Sequence, residues 1–477
     1  MSAIGLSFAI VVIVMIVRAI TLESSQLEVQ RVAIEVDSKA VAEHLAEAIQ
    51  IRTVSDDENG SDFDEIERFH RFLAQTYPLT FGQIEKEVVG RGSLLLTWSG
   101  RSPELDPVVL MAHFDVVPVV ETDEWSHPAF DGVISDGYLW GRGVLDDKGA
   151  LIAILEGIET LLGEGFVPRR TVLIVLGHDE EIGGARGAAK IAALLGERGM
   201  SPQSILDEGG AITEGLIAGV PGPVALVGVA EKGFLTLELS VAMEGGHSAM
   251  PPPETSVGIL SKAIVRLEGS PFSQRLTPAM REQLRTLAPE MGFGARVLAA
   301  NLWSLEPLAL RVIGSTEVGL AMTRTSIAPT MLEASPKANV LASTAKAIVN
   351  LRLLPGDTSE SARGRVLAVI GDERVEVTEL TASEAPPWSD PSDPAFQVVA
   401  KSIREVFGDV IVTPSMLMAT TDSRHFAGLT NRIYRFAPLR VRPEDVTRFH
   451  GVDERIAIDD LADAVRFYVQ YIRNASE

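Results

Sequence analysis

The sequence predicts an α/β protein: a mostly parallel sheet covered by helices, interrupted by an inserted α+β unit and preceded by an N-terminal transmembrane helix. Three observations carry this. From about Val36 onward, short and nearly all-apolar runs alternate with amphipathic helical runs, as when strands are buried between crossover helices. Near Gly233 the texture changes to the strict alternation of "FLTLELSVAMEG", the mark of a half-buried antiparallel strand. The chain also opens on "AIGLSFAIVVIVMIV", Ala3 to Val17, with no charge in it.

Taken in order, that first run extends through "AITL" to Leu22 and reaches the roughly 20 residues a spanning helix needs, with Arg18 placed to snorkel. A single-pass membrane anchor is therefore expected over 3–22, with a cleaved signal segment, and hence secretion, as the alternative. No Lys or Arg precedes the run and no A-x-A site follows it. Arg18 and Arg31 both lie on its C-terminal side, so the side of the membrane stays open. "ESSQLEVQR" reads as part of a polar stalk over 23–36.

"DSKAVAEHLAEAIQI" and "DFDEIERFHRFLAQTY" then have helical periodicity, and "SLLLTWSG" and "PVVLMAHFD" read as strands. "DKGALIAILEGIETLLGEG" is a helix, "TVLIVLGHDEE" a buried strand, "GARGAAKIAALLGERG" a helix and "QSILDEGG" a short strand. The insert, 233–383, adds the helix "ETSVGILSKAIVRLEG", an irregular stretch to about Ala328, and the strands "TMLEAS" and "AKAIVNLRLLPG". A helix near "SESARGRVLAVIG" and the strand "RVEVTEL" complete it. The Pro- and Ser-rich joint "ASEAPPWSDPSDPAF" returns the chain to the main domain, which comprises 37–232 and 384–475. A chain of 477 residues exceeds what one core usually holds, which agrees with two domains.

Composition removes several classes of function. With 42 basic against 65 acidic residues the net charge is −23, which argues against nucleic acid as a partner. There is no cysteine, so disulfides, thiolate zinc sites and cysteine nucleophiles are excluded. A metal, if held, falls to His, Asp and Glu, a donor set that suits hydrolytic zinc, manganese or cobalt.

Such donors gather where strands end. "MAHFDVVP" closes a strand with His113 and Asp115, two apart and so on one face of an extended chain. "GRGVLDDKG" puts Asp146 and Asp147 at the opening of a helix, where Asp147 suits the N-cap. "GHDEE" supplies Glu180 and Glu181, "ILDEGG" supplies Asp207 and Glu208, and "RFHGVDERI" supplies His450. Two divalent ions could be held by one His each, one bridging carboxylate and one terminal carboxylate each. One acid then remains to move protons, and the double glutamate provides it.

In order along the chain, "AHFDVVP", "WGRGVLDDKG", "GHDEEIGG", "LDEGG", "GGHSAMPP" and "FHGVDERI" resemble the motifs of the dizinc metallopeptidase family of aminoacylase-1, glutamate carboxypeptidase and carboxypeptidase S. "HSAMPPPETSVGIL" and "TDSRHF" are most similar in wording to the carboxypeptidase S branch, to which the N-fatty-acyl-amino-acid synthase/hydrolases are related. The likeness spans about residues 37–475. It implies His113 and His450 as ligands on opposite metals, Asp146 as bridge, Glu181 on one ion and Asp207 on the other, with Glu208 as the rival of Asp207. It implies Glu180 as general base and Asp115 as the partner that orients His113. The insert resembles the family's lid, which is often also a dimerisation surface, and the resemblance implies His247 as the lid histidine that, in dimeric relatives, reaches the partner's active site and polarises the scissile carbonyl. Arg424 and Asn339 fall where relatives hold the substrate's carboxylate and carbonyl groups, with Arg352 a weaker candidate. Two divalent ions, zinc first with cobalt or manganese as substitutes, are the implied cofactors. Peptides with a free C-terminus or N-acyl amino acids are the implied substrates.

Overall fold

In a computed structural model, which describes residues 3–56, 60–120 and 123–477, the runs "VVLMAH" and "VLIVLG" form the strands Val108–His113 and Val172–Gly177, with every residue of both buried. These two pair in parallel, and Ser204–Asp207 and then Ile433–Arg435 extend the parallel set on the Val108 side. Parallel strands deliver their carboxyl ends to one edge of a sheet, where ligands gather in open α/β folds. His113, Gly177 and Asp207 therefore end as neighbours.

Both faces of this sheet are covered, which explains why its strands lack polar alternation. Leu94, Leu96, Val108, Leu110, Ile174 and Leu176 point into a core shared with the helices Ser38–Ile49, Lys148–Gly163, Pro394–Phe407 and Ile458–Ala475. The intervening Leu95, Val109, Met111, Leu173 and Val175 face the helix Ala188–Glu197 through Ala188, Ile191 and Leu195. Each such Leu, Ile or Val contributes about 1.5–3 kcal/mol by leaving water.

The sheet is mixed rather than mostly parallel. Among the described residues it has ten strands, and Ser93–Trp98 runs antiparallel to Val172–Gly177, with Glu85–Val89 antiparallel beyond it. Only three residues, Gly90 to Gly92, join Glu85–Val89 to Ser93–Trp98, and so short a connection makes a hairpin rather than a crossover. On the other side Val224–Glu231 lies antiparallel to Ile433–Arg435 and parallel to Ile411–Leu417.

The insert builds its own antiparallel sheet and core. Gly233–Ala242 lies between Thr344–Leu353 and Glu376–Ser383, with Ser326–Glu333 outermost. Leu235, Leu237, Leu239 and Val241 face the helices Ser256–Glu268 and Ser359–Ile370, while the opposite face is open. The stretch expected to be irregular is helical: Pro278–Leu287, Phe293–Ala300, Leu302–Ile313 and Glu317–Thr323. Thr277 and Thr316 begin two of these, each hydroxyl accepting a hydrogen bond from the backbone three residues on.

The transmembrane helix is not supported: no helix among the described residues is long and apolar enough to cross a membrane. The N-terminal helix is Ala3–Ile20, 18 residues, and ends two residues before the Leu22 to which the apolar run extends. Its end is also held by the protein, since Asn301 Nδ2 donates to Met15 O at 3.0 Å and Ala19 is fully buried. The expected stalk lies against the main domain. Gln26 exchanges both of its side-chain amide hydrogen bonds with the backbone of Val412, and Val32 N donates to Glu405 O.

Candidate metal centre

Four loops leaving the strand edge converge on Asp146. His113, the last residue of its strand and only 1% exposed, places Nε2 3.0 Å from Asp146 Oδ1. His450, half exposed on the loop before the C-terminal helix, places Nε2 3.0 Å from Asp146 Oδ2. The carboxylate thus faces one imidazole with each oxygen. Glu181 Oε2 lies 3.3 Å from His450 Nε2, and Glu208 Oε1 lies 3.6 Å from His113 Nε2. Ligand-type atoms of His113, Asp146 and Glu181 fall within 4.8 Å of one another, as do those of His113, Asp147 and Glu208.

This donor set fits divalent cations. Ligands about 2.1 Å from a tetrahedral ion stand roughly 3.4 Å apart. The His–carboxylate spacings of 3.0 to 3.6 Å bracket that value. Glu181 Oε1 is buried and has no hydrogen-bond partner among the described residues. The electrostatics agree. Burial pushes the Glu208 carboxyl up to about 7, with the Asp146 charge adding to it. Burial also raises Asp146, but His113 and His450 outweigh it and hold that carboxyl low. The carboxylates of Asp146 and Glu181 in turn raise His450 to about 10. Several buried carboxylates crowded around two imidazoles are the charge pattern of a site that takes positive ions.

Asp207, expected as a ligand with Glu208 as its rival, is bonded elsewhere. Its Oδ2 accepts a hydrogen bond from Ser423 N at 2.9 Å, below the turn that carries Arg424. Asp207 is the last strand residue and Glu208 the first beyond it, so the two project differently. Asp147 occupies the N-cap position of Lys148–Gly163 without capping it; its Oδ2 accepts from His113 N at 3.3 Å instead.

Asp115 serves more than His113. Its Oδ1 and Oδ2 accept from Glu180 N and Glu181 N, each at 3.1 Å, which fixes the short 3-10 turn Glu180–Ile182. The nearer partner of His113 Nδ1 is the Asp115 backbone carbonyl at 3.0 Å, with Oδ1 at 3.4 Å. The turn ends on Gly183 and Gly184, both with positive φ, and a Cβ on Gly184 would stand 1.9 Å from Asp422 Oδ1. Glycine is required there twice over.

Glu180 is the acid of the pair that does not reach either imidazole. Burial raises its carboxyl well above the usual glutamate range, and Asp422, Glu208 and Glu181 add to this against the opposing His113. Arg424 Nη1 lies 3.9 Å from Glu180 Oε1. Arg424 is set in the wall by bonds to Thr421 O at 2.9 Å and Gly183 O at 2.7 Å, with guanidinium donors left over. His247 and Asn339 are placed together elsewhere. Both are exposed on the insert, His247 pairs with Val340 across two short strands, and Ser248 N donates to Asn339 O. Arg352 is exposed on the open face of the insert sheet, opposite Phe234. Sequence reading passed over Arg142, Asp422 and Glu454, all buried beside these loops.

Comparison with known proteins agrees with this geometry. Residues 109–474 match the description "Peptidase family M20/M25/M40". The chain is 38% identical over 444 residues to "Probable carboxypeptidase S-like 2" of Dictyostelium discoideum, covering 92% of this chain and 85% of that one. It is 39% identical to the N-fatty-acyl-amino acid synthase/hydrolase PM20D1 of Mus musculus, covering 92% and 89%. In fold it is similar to the M20 family metallo-carboxypeptidase Sso-CP2 of Sulfolobus solfataricus, with a TM-score of 0.68 at 16% identity over 93% of this chain and all of that one. A match of this extent, over a centre whose donors suit divalent cations, places the chain in the M20/M25/M40 peptidase family as a metal-dependent amide hydrolase.

Proposed function

We propose that the chain hydrolyses the amide bond of N-acyl amino acids and of peptides with a free C-terminal carboxylate, with Glu180 as the general base. The observation that carries this is Asp146, whose two oxygens each face a histidine at 3.0 Å from a different loop, with Glu180 beside the pair and bonded to neither. His113, Asp146 and Glu208 would hold one divalent ion, and His450, Asp146 and Glu181 a second, zinc being the first choice. When bound, the ions supply Lewis acidity toward water and toward the amide carbonyl.

The remaining work falls to the chain's own residues. Glu180 takes a proton from the attacking water at a carboxylate oxygen and later hands it to the departing amine. Its carboxyl, raised by burial, holds a proton more readily than a free glutamate, which suits both transfers. Asp115 holds the backbone of Glu180 and Glu181, so that the free acid and its neighbour keep separate directions. Arg424, with donors to spare beside Glu180, is placed for the substrate carboxylate, as its planar fork allows. His247 and Asn339, exposed together on the insert, suit a contribution across a dimer. An exposed imidazole whose hydrogen bond among the described residues is the one Nδ1 accepts from Ala249 N keeps Nε2 available to a second copy.

The test is turnover of a matched panel of Gly-X dipeptides and N-fatty-acyl amino acids by the metal-loaded protein beside Glu180→Gln. Loss of about 10²–10⁴-fold in kcat with unchanged metal content is expected. Equal turnover by the variant removes Glu180 as base, and no turnover of any panel member removes the substrate assignment.

A further inference from the structure

We propose that Arg142 and Glu454 form a positioning pair that locks the Asp146 and His450 loops to each other and thereby sets the affinity of the metal centre. This rests on the reading of Asp146 and His450 as ligands.

The problem the pair solves is visible in the backbone. His450 projects from an exposed loop and has φ of +58, and Asp453 has φ of +54. Non-glycine residues adopt such conformations uncommonly, though Asp and His do so more readily than most. A ligand on so exposed a loop would lose affinity to mobility unless something behind it were rigid.

Glu454 is that anchor. It is fully buried, and its carboxylate faces the Asp146 loop from behind. Oε1 accepts from Leu145 N at 2.8 Å, Gly143 N at 3.1 Å and Asp146 N at 3.3 Å, and Oε2 accepts from Gly143 N at 3.0 Å. Arg142, 3% exposed, donates from Nη1 to Glu454 Oε2 at 2.8 Å and from Nη2 to the His450 carbonyl at 3.1 Å. One guanidinium therefore spans from the carboxylate that cradles Asp146 to the backbone of His450.

The local fold brings the two together. Arg455 pairs with Trp140 in a short antiparallel ladder, and Gly141 N donates to Glu454 O at 2.9 Å. The rest of the loop is tied down separately. Arg448 Nη1 donates to Asp453 O at 2.7 Å, and Ser126 binds the Asp453 carboxylate through N and Oγ at 2.7 and 2.8 Å. Those bonds fix the distal side of the loop; Arg142 alone reaches the His450 carbonyl among the hydrogen bonds of the described residues.

Groups behind a metal ligand typically change affinity about 10–100-fold when removed. The experiment measures zinc affinity of the full chain, stripped of metal and titrated against a chromophoric chelator, for wild type, Glu454→Gln, Arg142→Lys and His450→Ala. Unfolding midpoints of the metal-free proteins are recorded alongside. Glu454→Gln is expected to raise Kd about 10–100-fold. Arg142→Lys, which keeps a charge for Glu454 but loses the second arm to His450, should shift it less and in the same direction. A merely structural pair would lower the unfolding midpoint and leave the affinity of the folded protein at the wild-type value. Wild-type affinity in both variants, with His450→Ala impaired, overturns the positioning pair alone. Wild-type affinity in His450→Ala overturns the ligand reading beneath it. Should Glu454→Gln fail to fold, Arg142→Lys decides.

Discussion

Replacing Arg435 by Met should unmask how much a buried charge costs under the active edge. Arg435 Nε lies 2.8 Å from Glu231 Oε2, with the two side chains 1% and 0% exposed. At an effective dielectric of about 20, a pair at that distance attracts by roughly 6 kcal/mol, and most of it is offset by lost hydration. Removing the guanidinium alone leaves the carboxylate buried and unpaired, which costs about 3–5 kcal/mol. Burial already raises the Glu231 carboxyl against the opposing Arg435, so without Arg435 the folded-state value climbs further. An acid whose folded pKa lies above its unfolded value destabilises the fold increasingly as pH rises past the unfolded value, by up to about 1.4 kcal/mol per pH unit. Urea unfolding at about pH 5 and about pH 8 should therefore show the larger loss at the higher pH. Adding Glu231→Gln to Arg435→Met should recover most of it. A loss below about 1 kcal/mol at the higher pH, or a double variant no better than the single one, refutes the reasoning.

Three further outcomes follow from the same geometry. Glu208→Gln should lower bound metal measured by elemental analysis, whereas Asp207→Asn should retain metal and lose stability, since its carboxylate serves Ser423 N. Gly184→Ala should fold but lose turnover by about 10²-fold or more, because the added carbon displaces Asp422 and with it the Glu180 turn; near-normal kcat/KM would show that the turn tolerates the shift. His44, bonded to Glu156 at 2.6 Å, has its pKa raised chiefly by that bond. Its contribution is thus complete below the unfolded value of about 6.5 and disappears as pH rises through the raised folded value. The Tm gap between wild type and His44→Ala should narrow from acid to alkaline pH, and a gap that widens would reverse the assignment.

Much of this site was legible because ligands sit at strand ends, and strand ends are marked by apolar runs. His113, Asp146, Glu181 and His450 converge as their motifs suggested. What failed to show depends on direction rather than identity. Whether Asp207 or Glu208 turns toward His113 is decided by the pleat at one residue. Glu454 stood in view within "FHGVDERI", but its role depends on Gly143, Leu145 and Arg142, over three hundred positions earlier in the chain. Strand direction is likewise invisible across long connections, and the sequence reading passed over the three-residue Gly90–Gly92 connection that makes a hairpin. The helices between Pro278 and Thr323 are short, none longer than twelve residues, and the threonines that cap two of them, Thr277 and Thr316, were signals the sequence reading passed over. At the N-terminus, counting apolar residues through Leu22 overstated a helix that ends at Ile20.

The most direct measurement is zinc titration of the metal-free chain while hydrolysis of an N-acyl amino acid is followed. Turnover should be absent without metal and rise to a plateau at two equivalents, a plateau that Glu180→Gln reaches in binding but not in rate. Full turnover by the metal-free chain, or by Glu180→Gln, would contradict it.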